Sequence, residues 1–166
     1  MTLAKLPDGA LVFVDANVFV YHFTGVSLQC KTLLERAERK SIQAKTGAHI
    51  LLEVVHRLMM IEAVTKGLIP PGQPAKKLKQ QWQVIQQLRS YDRCLAEIAA
   101  FNVEVFPLAE EIIRESSRLR LAHGLMTNDS VTAAMMIQHG VNRVATRDSD
   151  LQRVPGLTLY QPADIP

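Results

Sequence analysis

The stretch ALVFVD, residues 10–15, decides how the rest of the chain is read. Leu11, Val12, Phe13 and Val14 form a short apolar run rich in β-branched and aromatic side chains, and it stops at a carboxylate. Such a run reads as a buried strand ending at Asp15. Downstream, a short helix is expected from about Asn17, and Ser27 has the character of an N-cap for a second helix reaching Lys40. SIQAK (41–45) reads as a brief strand.

From Ala48 to Lys66 the apolar residues Ile50, Leu51, Val54, Val55, Leu58 and Met59 recur at helical spacing. Gly67 is a natural helix stop, and GLIPPGQP (67–74) is the clearest loop in the chain. A long helix is expected from Ala75 to Ala100, with Leu78, Trp82, Ile85, Leu88, Leu95 and Ile98 as an apolar stripe opposite glutamines and lysines. VEVF (103–106) reads as a strand, Pro107 introduces a helix to His123, and an apolar helix follows Asp129 and stops at Gly140. RVAT (143–146) and LTLY (157–160) are the last strands. Strands alternating with helices imply an α/β fold with three α/β/α layers and a mostly parallel central sheet of four to five strands. No repeat or second linker interrupts it, so one domain is expected over 1–166, with its core from about 10 to 160.

Composition narrows the function classes. The 166 residues are 48% hydrophobic and 21% charged, ordinary for a compact soluble protein. Cys30 and Cys94 form no CxxC, which argues against a disulfide scaffold and for a reducing compartment. MTLAKLPDGALVFVD reads as a lead-in to a strand rather than a signal peptide, and no apolar run approaches the roughly 20 residues of a membrane span. A cytoplasmic location is expected. Net charge is only +3, but setting aside Asp15, Glu53, Asp129 and Asp148 leaves 12 of the 16 acidic residues against 19 basic ones. An acidic pocket in a basic surface suits a polyanion held against metal ions; solubilising charge is the plainer alternative.

Each of those four carboxylates has a structural explanation taken alone. Asp15 can cap the next helix, Asp129 favours a helix first turn, and Asp148 with Asp150 can organise a tight turn. Glu53 is harder to dismiss, since it lies between Leu52 and Val54 with no obvious neighbouring cation. Jointly they say more. Ligands of open parallel sheets gather beyond the carboxyl ends of the strands, where Asp15 and Asp148 would lie if LVFV and RVAT were adjacent. Four oxygen donors there would relieve their mutual repulsion by binding Mg²⁺ or Mn²⁺. Such ions support in-line displacement at a phosphodiester.

VDANVFVYHF with Asp15, ILLEVVHRL with Glu53, NDSVTAAMM with Asp129 and ATRDSDLQRVPGL with Asp148 together resemble the PIN domain, in order and interval, from about Leu11 to Tyr160. The resemblance implies a PIN-like fold and a Mg²⁺/Mn²⁺-dependent endoribonuclease that hydrolyses RNA, of the kind found as VapC toxins in toxin–antitoxin pairs. It implies Asp15, Glu53, Asp129 and Asp148 as catalytic and metal-binding acids, with Asp150 the alternative to Asp148, and Asn17 and Thr146 shaping the site. Asp148 is preferred because it lies two residues after Thr146, as in the family's T-x-D pattern. A small antitoxin partner and a homodimer are further implications. Asp129 is followed by Ser130 where the family often has Ala. The chain is also longer than many compact toxins around GLIPPGQPAKKLK and the Gln-rich helix.

Arg147, Lys76 and Lys77 are candidate substrate contacts, with Lys79, Arg143 and Arg153 nearby in sequence. Aromatics are 5% of residues, so no base-stacking platform is expected. His49, Glu53 and His56 at i, i+4 and i+7 offer a competing zinc-type face, although His56 also suits a partly buried neighbour of Glu53. A non-catalytic RNA- or protein-binding module and a structure-specific DNA nuclease are the alternatives to the ribonuclease.

Overall fold

The computed structural model describes residues 1–165. Its centre is a five-stranded, wholly parallel sheet in the order β3-β2-β1-β4-β5, made of Leu11–Val14, Gln43–Gly47, Glu104–Phe106, Arg143–Ala145 and Thr158–Tyr160 for β1 to β5. The chain therefore moves outward from β1 through β2 to β3, then returns to β1's other side to lay down β4 and β5. That reversal makes the β1/β4 junction the topological switch point, where a crevice opens at the carboxyl edge. Val12, Phe13 and Val14 are completely buried, as the continuous apolar run requires of a strand covered on both faces.

Right-handed crossovers put the helices before β3 on one face and those after it on the other. The first group comprises α1 (Ala16–Phe23), α2 (Leu28–Glu38), α3 (Ala48–Thr65), α4 (Pro74–Gln80), α5 (Trp82–Ile85) and α6 (Ser90–Ala100). Within it α1 packs on α2 and α3, and α3 on α6. The second group is α7 (Glu110–His123) and α8 (Thr127–Gln138), packed against each other, with α8 also against a 3-10 turn at Asp150–Arg153. Ser27 caps α2 by accepting from the Cys30 N–H at 3.0 Å, as its sequence suggests. Among the described residues no helix is long and apolar enough to cross a membrane.

The second strand starts two residues later than SIQAK implied. Ser41 belongs to the turn that follows α2, where its N–H and hydroxyl both donate to the Arg36 carbonyl.

The expected long helix over 75–100 is instead three helices. Gln81 leaves helical geometry (φ −116°, ψ 55°), and a second break at Arg89 follows the buried Glu62 of α3. Its carboxylate accepts the N–H groups of Arg89 and Ser90 at 2.9 Å and of Tyr91 at 3.3 Å, and pairs with Lys66 at 2.5 Å. Burial alone would raise the Glu62 pKa, but Lys66 and those three amides outweigh it and hold it down at about 2. The folded-back segment buries Leu78, Val84 and Leu88 with Ala63 and Ile69 as a second apolar cluster. Trp82, expected in the core stripe, stays 56% exposed.

Candidate active site

Asp15 stands at the end of β1 and also opens α1, so its capping role and its site role coexist. Oδ1 accepts the Ala16 N–H at 2.7 Å. Oδ2 accepts Asn17 Nδ2 and Thr146 Oγ1, both at 2.6 Å. Thr146, fully buried just past β4, accepts in turn from Asn17 Nδ2 at 3.1 Å and from the Asp148 N–H at 3.0 Å. Asn17 Oδ1 takes the Arg147 N–H at 2.9 Å. One donated and two accepted bonds use the whole capacity of the Thr146 hydroxyl. The two strand ends that flank the switch point are thereby stitched together, with Asp15 held in one orientation.

Asp129 lies in the first turn of α8. Burial pushes its carboxyl up to about 6, and the charges of Asp148, Asp15, Asp150 and Glu53 add to that push. Asp129 therefore feels four other acids, which come from three other segments of the chain. Asp15 is also raised, by burial first and then by Glu53, although Thr146, Ala16 and Arg57 pull the other way.

Ser130, the departure from Asp-Ala, is buried beneath the site rather than in it. Its hydroxyl donates to the Thr127 carbonyl at 2.8 Å and accepts from Arg120 at 3.0 Å, tying α7 to α8.

Glu53 does have a cation beside it. Arg57, one turn along α3, stands 3.5 Å from Oε1, while Asn128 Nδ2 donates to Oε2 at 3.0 Å. Both were missed in the sequence. The i,i+4 spacing to Arg57 was the available signal; Asn128 comes from α8 and left none.

Asp148 and Asp150 differ in what they already hold. Asp150 Oδ1 is paired with Arg153 at 2.6 Å, and Arg153 also donates to the Gly124 carbonyl. Asp148 Oδ1 accepts the Asp150 N–H at 2.8 Å and is otherwise exposed. Arg147 is exposed next to it. Lys77 Nζ donates to the Pro70 and Pro71 carbonyls, holding the loop, while Lys76 is exposed.

The zinc-type face is not assembled. His49 is buried, and its Nε2 is 3.0 Å from Thr132 Oγ1; burial lowers its pKa to about 4. His56 is exposed rather than partly buried, so the two imidazoles do not share an environment. Among the described residues no three His, Cys, Asp or Glu side chains stand close enough to hold one ion as they are. The acids are nonetheless near enough to Asp129 that their charges add to the effect of burial on its carboxyl, and their oxygen-donor chemistry fits a hard divalent cation.

The family model of the PIN domain matches residues 12–157. The chain belongs to the PIN domain family. This PIN domain is 23% identical over 150 residues to a ribonuclease VapC2 of Methanocaldococcus jannaschii, covering 90% of this chain and 93% of that one. Among solved structures, it is similar to VapBC2 of Rickettsia felis bound to a promoter DNA fragment, with a TM-score of 0.56 and 16% identity over 91% of this chain and 98% of that one. It is likewise similar to VapC20 of Mycobacterium tuberculosis, described as a sarcin-ricin loop cleaving toxin, with a TM-score of 0.58 and 14% identity over 87% and 95%. At such identities these structures speak to the fold, and they agree on the PIN-like α/β architecture.

Proposed function

We propose that this PIN domain is a Mg²⁺- or Mn²⁺-dependent endoribonuclease of the VapC kind, the toxin half of a toxin–antitoxin pair. The observation that carries the proposal is the crowding of Asp15, Glu53, Asp148 and Asp150 around Asp129 at the sheet's switch point. A half-buried acid whose carboxyl is raised by burial and by neighbouring carboxylates, as Asp129 is, is expected at functional sites. The curated ribonuclease relative and the toxin structures sharing the fold support the RNA substrate and a small antitoxin partner; a homodimer follows by the same analogy.

Asp15 and Asp129 are assigned as the principal ligands, with Glu53 and Asp148 completing the set. Held by these carboxylates, a divalent cation would offset their charge and would supply Lewis-acid chemistry for phosphodiester hydrolysis. Thr146 and Asn17 both donate to Asp15 Oδ2 and so hold that carboxylate in one orientation. Arg57 and Asn128 hold both oxygens of Glu53, so that ligand is positioned by α3 and α8 together. Arg147, exposed beside Asp148, is placed to meet a phosphate. Lys77 is assigned to the loop rather than to RNA.

The test is cleavage of an RNA panel by wild type and Asp15→Asn with added Mg²⁺ or Mn²⁺, with EDTA as control. Full activity in the purified variant would remove the assignment. The spacing of the acids, too open to ligate as they stand, is the one feature that favours a non-catalytic binding module. That module would bind RNA without metal-dependent turnover, and a structure-specific DNA nuclease would cut flapped DNA in parallel assays.

A further inference from the structure

Residues 63–91 contain no aspartate or glutamate but include Lys66, Lys76, Lys77, Lys79 and Arg89. Taking these five charges from the chain's +3 leaves −2 for everything else, so the net basic charge of the protein resides in this one segment. Lys66 is matched by Glu62; the other four make no ion pair among the described residues. The same segment carries the chain's single tryptophan. Trp82 projects from α5 with over half its surface in solvent, flanked by the exposed Lys79, Gln80 and Gln83.

An exposed indole among cations and amides matches how sequence-tolerant single-stranded nucleic-acid binding is built. A π-face stacks a base while ammonium groups follow the backbone.

The position of the segment connects it to the acidic crevice. Arg57, which contacts Glu53, also lines a surface groove of about 380 Å³ that runs along α3 past Val64 to Pro71, Gly72 and Pro74. Gly72 is shared with a polar depression of about 400 Å³ between Gln73, Lys76, Lys77 and Gln80. From Glu53 to Val64 the helix rises roughly 17 Å, a length a short single strand can follow. The same surface of a second copy fits poorly, because the two would oppose like charges.

We infer that α4 and α5 form an accessory site for single-stranded RNA, in which Trp82 stacks on a base and Lys76 and Lys79 contact phosphates, outside the cleavage centre. The inference rests on the proposed ribonuclease function, and it contradicts the expectation that no stacking platform exists.

Because Trp82 is the only tryptophan, its fluorescence reports directly on the site. The full-length protein in EDTA is titrated with oligouridylate and oligoadenylate, while a labelled oligonucleotide follows binding by anisotropy. Saturable quenching with both sequences is expected. Trp82→Ala should weaken binding about tenfold, within the range of one base–aromatic stack. Lys76→Ala and Lys79→Ala should each lower the salt slope by about one. Circular dichroism melts confirm that these surface variants fold. Saturating anisotropy with unmoved fluorescence, wild-type affinity in Trp82→Ala, or no RNA binding at all would each overturn the inference. So would quenching by an acidic peptide but not by RNA, which would reassign the surface to a protein partner. Cleavage of the same RNA with Mg²⁺ or Mn²⁺ reads the ribonuclease proposal separately. Cleavage without quenching defeats only the accessory site, and quenching without cleavage defeats only the nuclease.

Discussion

Thr146 Oγ1 donates to Asp15 Oδ2 across 2.6 Å although the two residues are 131 positions apart. This bond joins the ends of β1 and β4 and fixes the orientation of a carboxylate that is central to the proposed site. Replacing Thr146 by Val keeps the shape and deletes the hydroxyl, leaving Asp15, Asn17 and the Asp148 amide each short of a partner. Turnover on RNA should drop roughly 100-fold while RNA affinity changes little, since small misplacements of a reacting group weigh on the chemical step. Stability should fall by about 1–3 kcal/mol. Parallel measurements of kcat and Kd check this, and an unchanged kcat would mean the bond is structural alone.

The fourth acid can be assigned by charge neutralisation. Asp150 is engaged by Arg153, whereas Asp148 is open to the crevice. Asp150→Asn should retain most activity, and Asp148→Asn should lose more than tenfold at limiting metal. If the order reverses, the ion pair to Arg153 breaks when the site is loaded.

Asp129 should make the metal-free protein less stable at neutral pH. Its folded pKa of about 6 lies above the ordinary 3.8, so between those values the native state holds a proton the unfolded chain has released. Stability therefore falls as pH rises through that window and stays reduced above it. Asp129→Asn should raise the metal-free Tm at pH 7.5 and abolish the further rise that Mg²⁺ or Mn²⁺ gives the wild type by linkage. Thermal melts with and without metal decide it. A variant that matches wild type in both would show the acids are not coupled.

Glu62 behaves oppositely. Its folded pKa of about 2 lies below the ordinary 4.5, so its contribution is present above pH 4.5 and disappears as pH falls toward 2. Glu62→Gln should cost about 3 kcal/mol at pH 7, by the conversion of roughly 1.4 kcal/mol per unit. The difference from wild type should shrink on acidification. Urea titrations at several pH values measure it, and a gap independent of pH would exclude the charge as its origin.

Gly47 has no room for a methyl group. A Cβ there would lie 2.5 Å from the His49 ring and 2.8 Å from Met135 Sδ. Gly47→Ala should therefore destabilise by about 1–3 kcal/mol through overpacking. Chemical denaturation checks the size, and a neutral substitution would mean that His49 can turn aside.

The first strand was legible because burial on both sheet faces leaves an unbroken apolar signature in LVFV, and the fourth because Val144 and Ala145 form a shorter buried pair within RVAT. Asp15 and Thr146 could be placed together because strand ends of a parallel sheet meet at one edge. The breaks at Gln81 and Arg89 were not legible. The break at Arg89 depends on Glu62, a partner 27 residues upstream whose carboxylate supplies the cap that no local side chain provides. Trp82 likewise looked apolar and periodic, yet the fold-back turned it outward. Asn128 was missed for the same reason, since its contact with Glu53 spans 75 positions and exists only once α3 and α8 are side by side.

The strand order also sets when the crevice can exist. Asp15, Glu53 and Asp129 all precede β4 in the chain, but the residue that locks Asp15 lies beyond it. Because synthesis proceeds from the N-terminus and distant contacts close last, Asp15 lacks its Thr146 partner until β4 has emerged and docked beside β1. On the proposed function, the same order would hold back cleavage until Thr146 has docked beside Asp15.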